Sequence, residues 1–509
     1  MPRPPAACLG NIAKAHLRAL ITGVAGLQNT PYMMGRFTTV LAAVSAMTTA
    51  VADDFNILQH VGGNGQWFAG PEVTGISPKV PAGCKVELAA FFSRHGSRYP
   101  DNGAYNEWTD LYDRVQAASN LTVSDKSLDF LKTWKPVLSD PSNQISQLSP
   151  TGYKELTEMG TTWRLRYPDL YDYNTPFTMW ANYYKSGPRV RDSARLFSQG
   201  FLGPNATALG TIYALNSSDP TSWMNSLATS DLCKAYNDEG GSPHKDVWDN
   251  IYLPPIRARL NAKIQGGFNF TQWDVSIIPY LCGFETQITG RRSPFCDIYT
   301  EKEVLQYEYA QDLRYWYGNG PGSDIEKYNM LPVIEGLVQR FVDGPNATYE
   351  NGNSTFVPPK IIASFSNDGQ INQIVAGIGV FDNEPQLPAN RTLPNRKFRA
   401  SRLVPMRGTV AFERLTCPAA ANGYATNNST SEAFMRIRLN EVVYPVVNCT
   451  SGPGSSCPLS QYQNIIKSKI DAVGDFTKIC NTTDSSFAAR PASTFFTDNT
   501  LPFQRVVKP

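Results

Sequence analysis

Val86-Glu87-Leu88-Ala89-Ala90-Phe91-Phe92-Ser93-Arg94-His95-Gly96-Ser97-Arg98-Tyr99-Pro100 is the stretch whose reading decides the fold. The apolar run Val86 to Phe92 predicts a strand buried on both faces, of the kind found inside parallel sheets. A polar cluster follows at its carboxyl end. There His95 can attack phosphorus through a ring nitrogen, and Arg94 and Arg98 offer forked donors to phosphate oxygens. The pattern R-H-G-x-R-x-P should arise by chance only about 10⁻⁴ times in a chain this long, given ordinary residue usage. A solvated surface loop with a basic pair is therefore the weaker reading.

Two further junctions repeat the arrangement. Phe177 to Tyr184 is an aromatic-rich run ending in Lys185-Ser186-Gly187-Pro188-Arg189, after which Val190, Ala194, Phe197 and Phe201 fall at helical spacing. Lys360 to Phe365 is a third strand candidate ending in Ser366-Asn367-Asp368-Gly369, and Ile371, Ile374, Val375 and Ile378 then restart a helical period. In an open α/β sheet, ligands bind outside the carboxyl ends of strands, where helix amino termini favour anions. Three such junctions carrying His, Arg and Asp predict a phosphate site. Between the first two, Ser149 is placed as an N-cap with Pro150 at the first helical position. Leu156, Met159, Trp163 and Tyr167 form one apolar face, and Pro168 stops that helix. Another helix is expected from Thr300, whose capping box is completed by Glu303, to a terminating Gly318.

By length alone, 509 residues suggest about three domains, but one large core with an insertion fits equally well. A formal net charge of +2 gives no global case for nucleic acid, so any anion selectivity must be local. Arg36 is followed by the apolar run Phe37 to Ala50 and by Ala50-Val51-Ala52, a small-x-small cleavage signal before Asp53. That run is too short to cross a bilayer, and no later segment is long enough. Met33-Met34 would make a better start for a signal peptide, so 1–52 is read as an upstream extension and signal peptide. Excluding it removes Cys8 and His16 and leaves eight cysteines. An even number in an exported chain predicts disulfides, with 105 pairings open, and no C-x-x-C spacing points to zinc. Sequons at Asn120, Asn205, Asn216, Asn269, Asn346, Asn353, Asn390, Asn427, Asn428, Asn448 and Asn481 point to passage through a glycosylating pathway.

The first motif resembles that of the histidine acid phosphatases, in particular the secreted fungal acid phosphatases and phytases. Leu148-Ser149-Pro150-x-Gly152, Arg189-Val190-x-x-Ser193-Ala194, Asn367-Asp368, Glu413-Arg414-Leu415-x-Cys417 and Cys457-Pro458-Leu459 follow in the family's order. The resemblance implies an α/β fold, a central mainly parallel sheet with flanking helices (phosphoglycerate-mutase-like), plus an inserted mostly helical cap domain. The phosphatase domain is expected in 53–509, with its sheet in 53–105, 146–201 and 331–509 and its cap insertions in 106–145 and 202–330. The resemblance also implies the pairs Cys84–Cys417, Cys233–Cys480, Cys282–Cys296 and Cys449–Cys457.

The same resemblance makes His95 the in-line nucleophile and Asp368 the general acid, with Arg94, Arg98, Arg189 and Asn367 binding the phosphate. Asn367 is a departure, because most relatives carry a histidine there; an amide still donates a hydrogen bond but brings no charge. An unperturbed histidine would be largely protonated in acid, so the arginines must depress the pKa of His95 as well as hold the phosphoryl oxygens. His60 and His244 lack any motif context. With so few histidines a dinuclear metal site is hard to build, and no cofactor is expected. The leading expectation is a secreted acid phosphomonoesterase acting on small phosphate monoesters, with a phytase as the alternative. A weakly active phosphate-ester-binding glycoprotein, motivated by Asn367, and a phosphotransferase or mutase are the competing classes. Neither nucleic acid nor, after signal cleavage, a membrane is an expected partner; the residues after Asp53 could form an arm in a homo-oligomer.

Overall fold

In the computed structural model, residues 55–184, 187–418 and 431–509 are described. The expected extension, signal peptide and cleavage signal in 1–52, Lys185-Ser186, and the sequons at Asn427 and Asn428 lie outside the described residues.

Strand β1 (Lys85–Arg94) stands in the middle of a nine-stranded sheet. Its parallel neighbour is β4 (Ile361–Ser366), beyond which lie β2 (Phe177–Asn182) and β3 (Gly210–Leu215), both parallel to it. On its other side β5 (Thr409–Pro418), β6 (Ser431–Leu439) and β7 (Val442–Tyr444) run antiparallel in turn. The two-residue β8 (Cys457–Pro458) pairs with β6, and β9 (Gln504–Val507) closes the far edge against β3. The parallel block is the part that holds the three junctions, and it aligns them: Arg94 sits beside Ser366 in register.

The apolar run of β1 is buried on both faces because alternate residues feed two cores. Ala89 and Phe91 point to one cluster with Trp163, Phe197 and Phe365, whereas Leu88, Ala90 and Phe92 join the other with Trp180 and Phe412. On the first face Phe91 packs 4.6 Å from Trp163 and 5.1 Å from Phe197, ring to ring. Those rings come from helices α2 (Pro150–Arg166) and α3 (Arg189–Leu202). The two helices cross closely because Gly160 and Gly200 stand at the crossing. A Cβ at Gly160 would lie 2.2 Å from the Phe197 carbonyl oxygen, and one at Gly200 would lie 2.0 Å from that of Thr157.

The remaining helices that matter for the site are α1 (Asn102–Gln116), α4 (Ser242–Asn261), α5 (Gln272–Thr289) and α6 (Glu301–Gly318). Their placement corrects the cap boundaries expected above. Residues 210–215 form β3, inside the central sheet, so the sheet reaches past 201 and the helical insertion cannot begin at 202. The short segment Gly-Thr-Ile-Tyr-Ala-Leu, flanked by two sequons, carries little pattern of its own; its pairing with β2 makes it a strand. Helix α1 starts at Asn102, capped by Asp101, four residues before the expected cap boundary. The Thr300–Glu303 capping box is present, but Gly318 closes α6 without a left-handed turn. It remains the last helical residue, and its lack of a Cβ lets the Asp238 carbonyl approach.

Cys84–Cys417 joins the start of β1 to the end of β5, and Cys233–Cys480, Cys282–Cys296 and Cys449–Cys457 join the other described cysteines. Of the described sequon asparagines, all are exposed except Asn216, which is half-buried. Among the described residues no helix is long and apolar enough to cross a membrane.

Candidate active site

His95 follows the last residue of β1, and its backbone N–H donates to the Ser366 carbonyl at the end of β4 (3.0 Å). The loop from His95 to Pro100 is then pressed onto the start of α2. Gly152 lies so close that a Cβ there would stand 2.1 Å from the Ser97 carbonyl oxygen, and one at Gly96 would meet Leu156 at 2.8 Å. Buried Glu155, one turn further along α2, accepts hydrogen bonds from Ser97 N (2.8 Å), Ser97 Oγ (2.9 Å) and Trp67 N (3.0 Å). From α3, Ser193 Oγ accepts from Gly96 N at 3.3 Å. The small residues of the motif thus have a packing reason: the loop is clamped between two helices, which fixes the direction of the His95 ring.

The ring is 1% exposed. Its Nδ1 lies 2.9 Å from the Gly96 carbonyl oxygen, an acceptor only, so Nδ1 carries the proton and Nε2 keeps its lone pair. Burial, then Arg189, Arg94 and Arg98, push its pKa well below the ordinary value, against a small opposing pull from the Gly96 carbonyl. The neutral imidazole is thereby favoured down to a lower pH than in a free histidine.

The arginines are held by different means. Arg94, 2% exposed, donates through Nη1 to the carbonyls of Gly63 and Val404, and its Nη2 lies 3.3 Å from Asp368 Oδ2. Arg98 donates to the Tyr99 carbonyl (2.9 Å) and pairs with Asp101 at 3.3 Å, with its guanidinium 5.4 Å from the centre of the Phe284 ring. Burial and the neighbouring Arg189 lower its pKa to about 10. Arg189 opens α3; its pKa is lowered too, chiefly by burial. The Nε atoms of all three are buried without a hydrogen-bond partner. Three crowded guanidinium groups with donors to spare suit a dianion.

Asp368 is the first residue of α7 (Asp368–Gly377). Burial would raise its pKa, yet Arg94, a 2.7 Å hydrogen bond from the Tyr315 hydroxyl and Arg314 together hold it well below the usual carboxylate range. Asn367 precedes it as the N-cap residue, in extended conformation and without a side-chain cap bond. Its Oδ1 is buried without a partner. The structure therefore brings Arg94, His95, Arg98, Arg189, Asn367 and Asp368 to one set of strand ends. His60 and His244 stand elsewhere: His60 pairs with Glu308 (3.0 Å), and His244 stacks on Tyr317 at 3.6 Å. Among the described residues no group of three or more His, Cys, Asp or Glu is placed to hold a metal ion.

Above the three strand ends opens a cleft of about 590 Å³, lined on one side by Arg94, Arg98 and Asp368 and on the others by α1, α4, α5 and α6. Sequence reasoning missed what these helices contribute. Tyr315 and Arg314 lie in the run Arg314-Tyr315-Trp316-Tyr317, where no spacing separates a residue that reaches the cleft from those in the core. Gln287 of α5 accepts the Arg98 N–H at 3.3 Å, a contact with no sequence signal. Glu107 of α1 accepts from the Tyr280 hydroxyl, and burial with a contribution from Asp101 raises its pKa to about 7.

Residues 85–440 match the family described as the histidine phosphatase superfamily, branch 2. Among curated proteins the chain is 29% identical over 457 residues to an acid phosphatase of Komagataella pastoris, covering 88% of this chain and 91% of that one. It is 27% identical over 450 residues to a phytase of Candida albicans, covering 87% and 90%. Among solved structures the phytase from D. castellii superposes with a TM-score of 0.75 at 25% identity, over 89% of this chain and 93% of that one.

Proposed function

We propose that this chain, which belongs to the histidine phosphatase superfamily (branch 2), hydrolyses small phosphate monoesters in acid through a phosphohistidine at His95. Membership makes it a phosphoric monoester hydrolase; the residue roles are our reading. The observation that carries them is the free Nε2 of a neutral, buried His95 set among three arginines, with a carboxyl group held at Arg94.

In the resting site Arg94 is neutralised by Asp368. An arriving phosphate takes over the Arg94, Arg98 and Arg189 donors, and Asp368, parted from its cation and facing an anion, gains affinity for a proton. Nε2 then attacks phosphorus as the P–O ester bond breaks, and protonated Asp368 delivers its proton to the leaving oxygen. Water next attacks the phosphorus of the phosphohistidine, passing a proton to Asp368 as the N–P bond breaks. Asn367, beside the junction, donates to a phosphoryl oxygen without adding charge. The presence of a placed acid favours turnover over binding alone.

The cap reading also stands as a proposal: the helices around the cleft cover the strand ends and shape leaving-group access. Paired cysteines and exposed sequons support an exported glycoprotein. The test is release of phosphate from glycerol phosphate at about pH 5 in the presence of EDTA. Turnover that His95→Ala abolishes supports the proposal, and activity unchanged in that variant would refute it.

A further inference from the structure

The outer wall of the cleft differs sharply in charge from its floor. Glu239 and Asp246 line it, and among the described residues neither forms an ion pair with a cation; Glu107 beside them, its pKa raised to about 7, is uncharged in acid. Lys245, on the same wall, is already tied to Asp249. Arg314 remains, shared electrostatically between Asp368 and Glu239. Beside these acids Trp273 projects from α5 with 60% of its surface exposed, a large exposed apolar area for a tryptophan, and Tyr280 stands two helical turns further along. A leaving group bearing several more phosphates would bring each of them towards carboxylates, with Arg314 alone to receive them, and like charges in a cleft cost affinity. A flat or cationic leaving group would instead meet an indole face and acidic oxygens.

We propose that this outer wall is a leaving-group subsite that admits esters with a single phosphate and an uncharged or cationic, preferably aromatic, leaving group, and turns away polyphosphorylated ones. The proposal rests on the hydrolase reading above. It assigns Trp273 as the stacking surface and Glu239 and Asp246 as the acids that exclude polyanions.

Turnover and binding measured in parallel test it. Wild type should show a higher kcat/KM for inositol monophosphate than for inositol hexakisphosphate. Glu239→Lys combined with Asp246→Lys, both at exposed positions, should raise the hexakisphosphate-to-monophosphate ratio about tenfold or more. In calorimetry the same double variant should bind inositol hexasulfate, which is not hydrolysed, more tightly than wild type does. Trp273→Ala should lower kcat/KM for phenyl phosphate several-fold more than for ethyl phosphate. A wild type that prefers the hexakisphosphate, or a double variant that changes neither the ratio nor the hexasulfate affinity, would overturn the subsite. Loss of turnover on every ester with the hexasulfate shift intact would reject the hydrolase reading and leave the subsite standing.

Discussion

At His95, burial and three guanidinium groups act in the same direction, and the consequence reaches both activity and stability. Folded His95 refuses a proton that the unfolded chain accepts below about pH 6.5, so stability falls as pH drops from there towards its depressed folded value. In urea titrations His95→Asn should therefore lose less stability than wild type between pH 7 and 4, while losing all turnover. For Asp368 the sign reverses on the activity side. The acid must be protonated in the complex, so activity falls as pH rises through its pKa there. Tyr315 donates to the charged form, so Tyr315→Phe should move the alkaline limb of kcat to higher pH. Asp368→Asn should cost most with glycerol as leaving group and much less with p-nitrophenol, which departs without help; equal losses would make Asp368 a phosphate-positioning group. That Arg94, His95 and Arg98 stand together was legible in the sequence because they lie within five residues of one another, whereas Arg189 drew attention only through its strand-to-helix junction and the family resemblance. Tyr315 was not, because its role depends on which way one turn of an aromatic helix faces.

Among the elements, the junction between β1 and α2 carries the most consequence for the site. Gly152→Ala should force α2 away from the Ser97 carbonyl, costing about 2–4 kcal/mol and misaligning His95. Thermal unfolding together with kcat would reveal both effects, whereas a change in Tm alone would mean that the loop relaxes without moving the ring. Midway along β5, opposite Ala89 of β1, Glu413 accepts from the Tyr167 hydroxyl and from Arg436 Nε, both at 2.5 Å, in a fully buried network. Glu413→Ala leaves Arg436 buried and unpaired, so it should destabilise the fold by about 3–5 kcal/mol while KM for small esters stays unchanged. The three strand ends and the helix starts at the second and third junctions could be read from the sequence, since buried parallel strands are continuously apolar and helices restart the period; α1 after the first could not. β3 could not, because six residues of weak alternation acquire their identity from β2 beside them. Of the helices around the cleft only α6 could be read as a helix, from its capping box; α1, α4 and α5 could not, and none could be read as a cleft wall, for their faces are decided by packing against one another.

Over the whole molecule, disulfides and sheet topology bind distant sequence into one site. Cys84–Cys417 spans 333 residues and fastens β5 to β1, the strand that delivers His95. Replacing both cysteines by serine should cost on the order of 5 kcal/mol by the loop-entropy argument, measurable as a lowered urea midpoint. The convergence of three strand ends on one phosphate is the claim on which the rest depends, and it is tested most directly by rapid acid or base quench during turnover of a ³²P-labelled ester. Under alkaline quench, where phosphohistidine survives, peptide mapping should place the label on His95, with none trapped in His95→Ala. Label on another residue of the active wild type would contradict the account.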